Sequence, residues 1–173
     1  MAAAKGQSAE AMALAVVELR PVASAPPTPS TTPIVVDSTL REGAQAPRVR
    51  FTRWQQLDIV RRLARVGIEE IEVGYAPDAD LHGLLRAIRQ ECPSIRVTLW
   101  CRAKLEDLSA CVGLRPDAVS VALPASDLHL QRRLGRGRSW ALDEVAVLRR
   151  TAGPIPLCLG FEDASRADHA FLA

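Results

Sequence analysis

The sequence predicts an α/β fold, an incomplete (β/α)8 TIM barrel holding the first five βα units behind a disordered N-terminal extension. Three observations lead there. From residue 33 onward, short β-branched or apolar runs alternate with helix-spaced segments at roughly the 30-residue repeat of a βα unit. Strands separated by helices pair in parallel, because the crossover brings each strand back in the same direction. A closed barrel takes about 250 residues, whereas this chain has 173 and its first 32 read differently from the rest.

That opening stretch, 1–32, is Ala-rich and ends in Ala23-Ser24-Ala25-Pro26-Pro27-Thr28-Pro29-Ser30-Thr31-Thr32. Pro and Ser at this density bury no core, so a disordered extension is expected. Ala23-Ser24-Ala25 mimics a signal-peptidase site, but Glu10, Glu18 and Arg20 bracket the short apolar run before it, against a secretory reading. Residues 33–173 form the expected catalytic-type domain. Ile34-Val35-Val36 is the first strand. Over 53–66 the residues Leu57, Val60, Leu63 and Ala64 share a helix face, and Gly67 ends it. A strand at 69–73 leads to a helix at 79–92, stopped by Pro93. A strand at 95–100, a helix at 105–112 and a strand at 118–123 follow. The helix expected over 140–151 turns Leu142, Val145, Ala146 and Leu148 inward. A fifth strand spans 155–159, and a helix begins at 164 and continues for three turns.

Composition bounds the function. Lys plus Arg is 22 and Asp plus Glu is 20, a net charge of +2, too weak for a nucleic-acid grip built on bulk charge. No window holds the about 20 consecutive apolar residues of a membrane span. Cys92, Cys101, Cys111 and Cys158 lack C-x-x-C spacing, which fits packing thiols in a reduced, cytoplasmic protein. His82, His129 and His169 share no ligand spacing and read as surface histidines; Trp54, Trp100 and Trp140 are too scattered for a stacking platform. The arginines of Gln131–Arg138 read as a solvated loop.

In a barrel, functional groups gather at the C-terminal ends of the strands. The first strand here runs into Asp37-Ser38-Thr39-Leu40-Arg41-Glu42-Gly43-Ala44-Gln45, the second ends at Glu72, the third at Arg102, and the fourth and fifth run into Ser126-Asp127 and Glu162-Asp163. Asp163 or Ser165 suits a helix N-cap. Asp37, Arg41, Glu42 and Glu72 are harder to explain structurally. Three acids and an arginine at one mouth suit a divalent metal and an anionic substrate.

The run Asp37-Ser38-Thr39-Leu40-Arg41-Glu42-Gly43-x-Gln45 resembles the opening motif of the acyl-CoA condensing barrel metalloenzymes, which include homocitrate, 2-isopropylmalate and citramalate synthases. Glu72-Val73-Gly74 resembles the family's second-strand motif. Trp100-Cys101-Arg102, Leu123-Pro124-x-Ser126-Asp127 and Cys158-Leu159-Gly160-x-Glu162-Asp163 resemble the nitrogenase-associated homocitrate synthases. The resemblance covers residues 33–173. It implies a Claisen-type condensation of acetyl-CoA with 2-oxoglutarate, giving homocitrate and CoA. It implies Glu42 as a ligand of a divalent metal (Mg, Mn or Zn) and Arg41, Gln45 and Glu72 as catalytic residues. It further implies Arg102 and Glu162 lining the substrate mouth, with Asp37 and Ser126 as further candidates.

The departures are equally specific. Glu42 stands where many relatives carry Asp, and Ala44 where an acidic or amide residue is usual. Tyr75-Ala76-Pro77 replaces the common Ile-Pro after the second strand. Cys158 and Gly160 replace the Arg and Ser with which lysine-pathway enzymes grip the keto acid. The family's His-x-His metal ligands belong to a later strand that this sequence does not contain. One carboxylate does not hold a catalytic metal. The expectation is therefore a domain part whose metal is incompletely liganded. It would be aggregation-prone alone, and completed by a second chain carrying His-x-His or by a homo-oligomer. An isopropylmalate or citramalate synthase part is the alternative within the class, and a truncated non-catalytic fragment the alternative outside it.

Overall fold

In the computed structural model, residues 34–75 and 80–173 are described; the predicted extension over 1–32 lies outside them. The five strands are β1 (Val36–Asp37), β2 (Glu70–Tyr75), β3 (Arg96–Arg102), β4 (Ala118–Pro124) and β5 (Leu157–Glu162). They form one wholly parallel sheet in the order β1-β2-β3-β4-β5. Sequential order with parallel pairing is what consecutive right-handed βα crossovers generate, and it is the order of a (β/α)8 barrel. The helices are α1 (Arg53–Arg65), α2 (Leu81–Glu91), α3 (Leu105–Gly113), a single turn α4 (Asp127–His129), α5 (Arg138–Ala152) and α6 (His169–Leu172).

Alternation along the strands divides the sheet into two faces. Ile71, Val73, Val97, Leu99, Cys101, Val119, Val121 and Leu123 share one face and pack against Val60, Leu84, Leu85, Ile88, Leu108, Cys111 and Leu148 of the helices. Ile71, Leu99, Leu108 and Leu148 are at most 1% exposed, so the core lies between sheet and helices. The other face holds Glu72, Thr98, Trp100, Arg102, Ser120, Ala122, Cys158 and Gly160 in facing register. This is the face that a barrel turns toward its axis.

Local sequence explains most boundaries. Thr52 caps α1 with a full capping box: its Oγ1 accepts from Gln55 N at 3.3 Å and Gln55 Oε1 accepts from Thr52 N at 2.8 Å. Arg62 and Arg65 sit in the last turn of α1, where cations favour the helix carbonyls.

Five expectations are corrected. The first strand is Val36–Asp37, with Ile34 and Val35 at 63% and 59% exposure, because only Val36 and Asp37 find partners, Glu70 and Ile71, on β2. Leu142 is 60% exposed; the inner stripe of α5 is Ala141, Leu148 and Ala152 with Val145, a phase set by where α5 meets the core. The helix expected from 164 is a 3-10 turn, Ala164–Arg166, then α6, restarted where the Asp168 side chain accepts from Ala170 N at 2.8 Å. Asp163 makes no cap; its carboxylate takes Ser126 Oγ and Arg166 instead. Cys158 is exposed on the open face, whereas Cys92, Cys101 and Cys111 are buried. The Leu130–Leu134 segment is a π-helix closed by Gly135, a feature that the apolar spacing does not announce.

Candidate functional site

Loop β1–α1 carries the Asp37–Gln45 run to the C-terminal edge of the sheet, and one irregularity in β2 fixes where it lies. Between β2 and β3 the register steps from Glu72↔Thr98 to Tyr75↔Trp100, so β2 has one residue more than its partner. Such a bulge lets a residue leave the ladder. Gly74 is that residue, at φ +62°, and its N–H turns to donate to Leu40 O at 3.3 Å. A Cβ at Gly74 would lie 2.1 Å from Leu81 Cδ2, so glycine is required for both conformation and space. Leu40 is 4% exposed, packed in the core. The loop is thus pinned one residue before Arg41.

Arg41 is consequently placed among three partners. Its guanidinium carbon lies 4.7 Å from the centroid of the Trp100 ring. Its Nε is 3.2 Å from Glu72 Oε2, and its Nη1 pairs with Glu42. The Arg41 and Glu72 side chains are 18% and 13% exposed, while that of Glu42 is 62% exposed. The Nε contact is an ion pair without hydrogen-bond angles. This buried N–H is the one buried side-chain polar atom with no hydrogen-bond partner among the described residues. Burial pushes the Glu72 carboxyl above the usual carboxylate range; the Arg41 charge partly offsets this and Glu70 adds to the rise.

The other predicted residues are distributed around this cluster. Gln45 ends the 3-10 turn Gly43–Gln45 and is exposed. Arg41 and Gln45 line a cavity of about 400 Å³ that also touches Arg53, Gln56, Gly74 and Asp80. Asp37 is occupied locally, its two carboxylate oxygens accepting from Thr39 N at 2.9 Å and Thr39 Oγ1 at 3.1 Å. Arg102 reaches sideways to Asp107 of α3, with Nε–Oδ2 at 2.6 Å and Nη2–Oδ1 at 3.2 Å. Glu162 pairs with Arg133 at 2.7 Å. Ser126 is buried, caps the α4 turn by accepting from His129 N at 3.1 Å, and donates to Asp163. The structure therefore unites Arg41, Glu42 and Glu72, with Gln45 on the adjoining cavity. It ties Asp37, Arg102, Ser126 and Glu162 to other partners.

No group of three His, Cys, Asp or Glu side chains able to hold a metal occurs among the described residues. Glu42, the predicted ligand, stands in no such group. Two members of the region were missed in the sequence reading: Trp100, set aside because the tryptophans are scattered, and Gly74, whose bulge positions the loop. Both stand in motifs, Trp100-Cys101-Arg102 and Glu72-Val73-Gly74, but their contacts depend on strand register, which the sequence of one strand does not hold.

The arrangement is a partly buried guanidinium, flanked by two carboxylates and an aromatic face, beside a cavity at the C-terminal edge of a parallel sheet. Chemically, the guanidinium can donate to an oxygen that gains negative charge, and the two carboxylates hold it in place or accept protons.

Comparison with known proteins agrees with this architecture. Residues 32–173 match the family model described as HMGL-like. A homocitrate synthase from Frankia alni is 40% identical over 139 residues, covering 79% of this chain and 40% of the relative. The 2-isopropylmalate synthase 2 of Caldanaerobacter subterraneus is 30% identical over 141 residues, covering 80% of this chain and 37% of the relative. The chain thus spans about 40% of the length of the first of these relatives. Among solved structures, an HMG-CoA lyase from Acenitobacter baumannii in complex with coenzyme A and 3-methylmalate superposes with a TM-score of 0.57 at 16% identity. That match covers 74% of this chain and 44% of the lyase, and it shows a shared fold. Sheet order, loop motif and family model agree, and over residues 32–173 this chain belongs to the HMGL-like family.

Proposed function

We propose that this chain is the N-terminal part of a homocitrate synthase, which condenses acetyl-CoA with 2-oxoglutarate to give homocitrate and CoA. The observation that supports the reading best is the Arg41 cluster: one guanidinium between Glu42 and Glu72 at the sheet's C-terminal edge. In the reaction a methyl proton leaves acetyl-CoA, the enolate carbon bonds to the keto carbon, and water then cleaves the thioester. Negative charge gathers on the former keto oxygen in the bond-forming step. Arg41 is assigned to that charge, as a donor held in place before reaction. Glu72 pairs with Arg41 through charge, Nε to Oε2 at 3.2 Å, and keeps it at the sheet edge. Gln45 is assigned to substrate, on the cavity it shares with Arg41. Arg102 and Glu162 are assigned to the outer lining of the mouth.

A divalent cation (Mg, Mn or Zn) would polarise the keto oxygen, and exposed Glu42 is the carboxylate best placed to ligate it. The remaining ligands would come from further βα units, in a longer protein or a second chain carrying His-x-His. The open edge and exposed Phe161 of β5 support that completion. The two Frankia homocitrate synthases, at 40% and 38% identity, support 2-oxoglutarate as the keto acid, and a putative (R)-citramalate synthase from Methanosphaerula palustris at 39% keeps the citramalate alternative beside it. The reading extends to a role in nitrogen fixation through the nitrogenase-type motifs, and to a cytoplasmic setting. No helix of the described residues is long and apolar enough to cross a membrane.

The competing reading is a non-catalytic fragment, which fits the lack of a three-residue metal-ligand group among the described residues. CoA-thiol release from acetyl-CoA, 2-oxoglutarate and Mn²⁺, measured with and without a polypeptide supplying the rest of the barrel, separates the two. Turnover is expected only on complementation, and Glu42→Ala then lowers it on the order of 1000-fold. Turnover that survives Glu42→Ala removes the ligand assignment. No turnover in any combination supports the fragment reading.

A further inference from the structure

The buried Nε–H of Arg41 has Glu72 Oε2 only 3.2 Å away, yet the two do not meet at hydrogen-bond angles. Hydrogen bonding to Glu72 therefore does not set the plane of the guanidinium, and something else does. The Trp100 ring lies 4.7 Å from its central carbon. Arginine stacks flat on aromatic faces, and a stacked guanidinium keeps the N–H groups on its rim available.

We propose that Trp100 is a positioning residue for Arg41. Its indole fixes the guanidinium plane across the C-terminal edge of β2 and β3 and shields one face from water. The outward N–H groups then meet an anionic oxygen without reorganisation. This rests on the assignment of Arg41 to the substrate.

Two features of the fold serve the contact. The Gly74 bulge advances β2 by one residue relative to β3, so Trp100 falls beside Tyr75 rather than Gly74 in the ladder. The same glycine ties the loop at Leu40. On β4 the register partner of Trp100 is Ser120, and on β5 that of Ser120 is Cys158. Small neighbours leave room for an indole on this face. Glu42 and Glu72 supply charge from the rim of the guanidinium, and the aromatic face supplies the one constraint perpendicular to it.

The test is site-resolved modification of arginine by phenylglyoxal, followed by peptide mass spectrometry on the full chain. Trp100→Leu is expected to raise the Arg41 rate about fivefold, and Trp100→Phe, which keeps a ring, less than twofold. A protected arginine remote from the site, Arg61, 35% exposed and paired with Glu91, reports whether the fold is intact, since a merely destabilised chain loses that protection as well. Equal Arg41 rates in wild type and Trp100→Leu, or loss of protection at all arginines together, overturn the proposal. A parallel arm adds 2-oxoglutarate with Mn²⁺ to the chain complemented by the polypeptide that supplies the rest of the barrel. If it fails to protect Arg41 in the wild type while Trp100→Leu still exposes Arg41, the assignment of Arg41 to substrate fails and the positioning contact stands.

Discussion

Asp107 shows how one side chain can serve two elements. It lies in the first turn of α3, 6% exposed, and takes Arg102 of β3 through Nε and Nη2. The Arg102 bonds and charge hold its carboxyl below the usual range, against the opposing effect of burial. A carboxyl whose folded pKa is depressed stabilises the fold above its unfolded pKa, about 4, and loses that contribution as pH falls through the folded value. Asp107→Asn should therefore be less stable at pH 7 but lose less on acidification from pH 5 to pH 2, as read by urea unfolding at each pH. Equal acid slopes in the two proteins would exclude the pair as a source of acid sensitivity. The pairing also explains why the Arg102 placement escaped sequence reasoning. The residue does end a strand, as expected, but Asp107 is five positions on, and only the start of α3 brings it within reach.

At the scale of elements, caps and periodicity carry most of the information. The α1 capping box follows from Thr52 and Gln55 alone, so its loss should be local. Thr52→Ala is expected to lower stability by about 1 kcal/mol, with thermal unfolding as the measurement; a change within error would mean that water or a neighbour replaces the bond. Elsewhere, tertiary contact overrides pattern. On α5 an apolar residue sits at 142, and periodicity alone allows it to face inward. The sheet instead receives Ala141, Val145 and Leu148, leaving Leu142 exposed. At the last helix the residues after Asp163, Ala164-Ser165-Arg166-Ala167, hold no glycine or proline to mark a break. The break lies at Ala167, extended at φ −80° and ψ 155° just ahead of the Asp168 cap, while Asp163 sits at φ +61° and bonds Ser126 across the sheet edge. Aspartate tolerates that left-handed conformation better than most residues.

For the molecule as a whole, the sheet has two edges among the described residues, at β1 and β5. Beside β5 an apolar cavity of about 220 Å³ is lined by Leu123, Ala141, Leu142, Val145, Leu159 and Phe161 with the last residues of the chain. Phe161 is 43% exposed. A parallel edge strand with apolar neighbours offers unpaired backbone groups and an apolar surface together. The chain by itself is therefore expected to self-associate with rising concentration in sedimentation velocity. Phe161→Lys, a charge on the edge, is expected to reduce that association. A monodisperse monomer with a cooperative melt would contradict both the expectation and the proposed need for completing βα units.

The sequence by itself determined the order of the βα units, the approximate ends of four of the five strands and of α1 to α3, and the family motif at Asp37–Gln45. These are encoded in windows of a few to about fifteen residues, where periodicity, caps and turn chemistry act through nearest neighbours in the chain. Tertiary structure alone decided that Gly74 bulges β2, that Arg41 lies on Trp100, and that Arg102 and Ser126 are drawn to Asp107 and Asp163. Residues 41 and 100 meet because strand register fixes which side chains share a row. Register is a property of two strands and their packed face, and neither strand's sequence holds it alone.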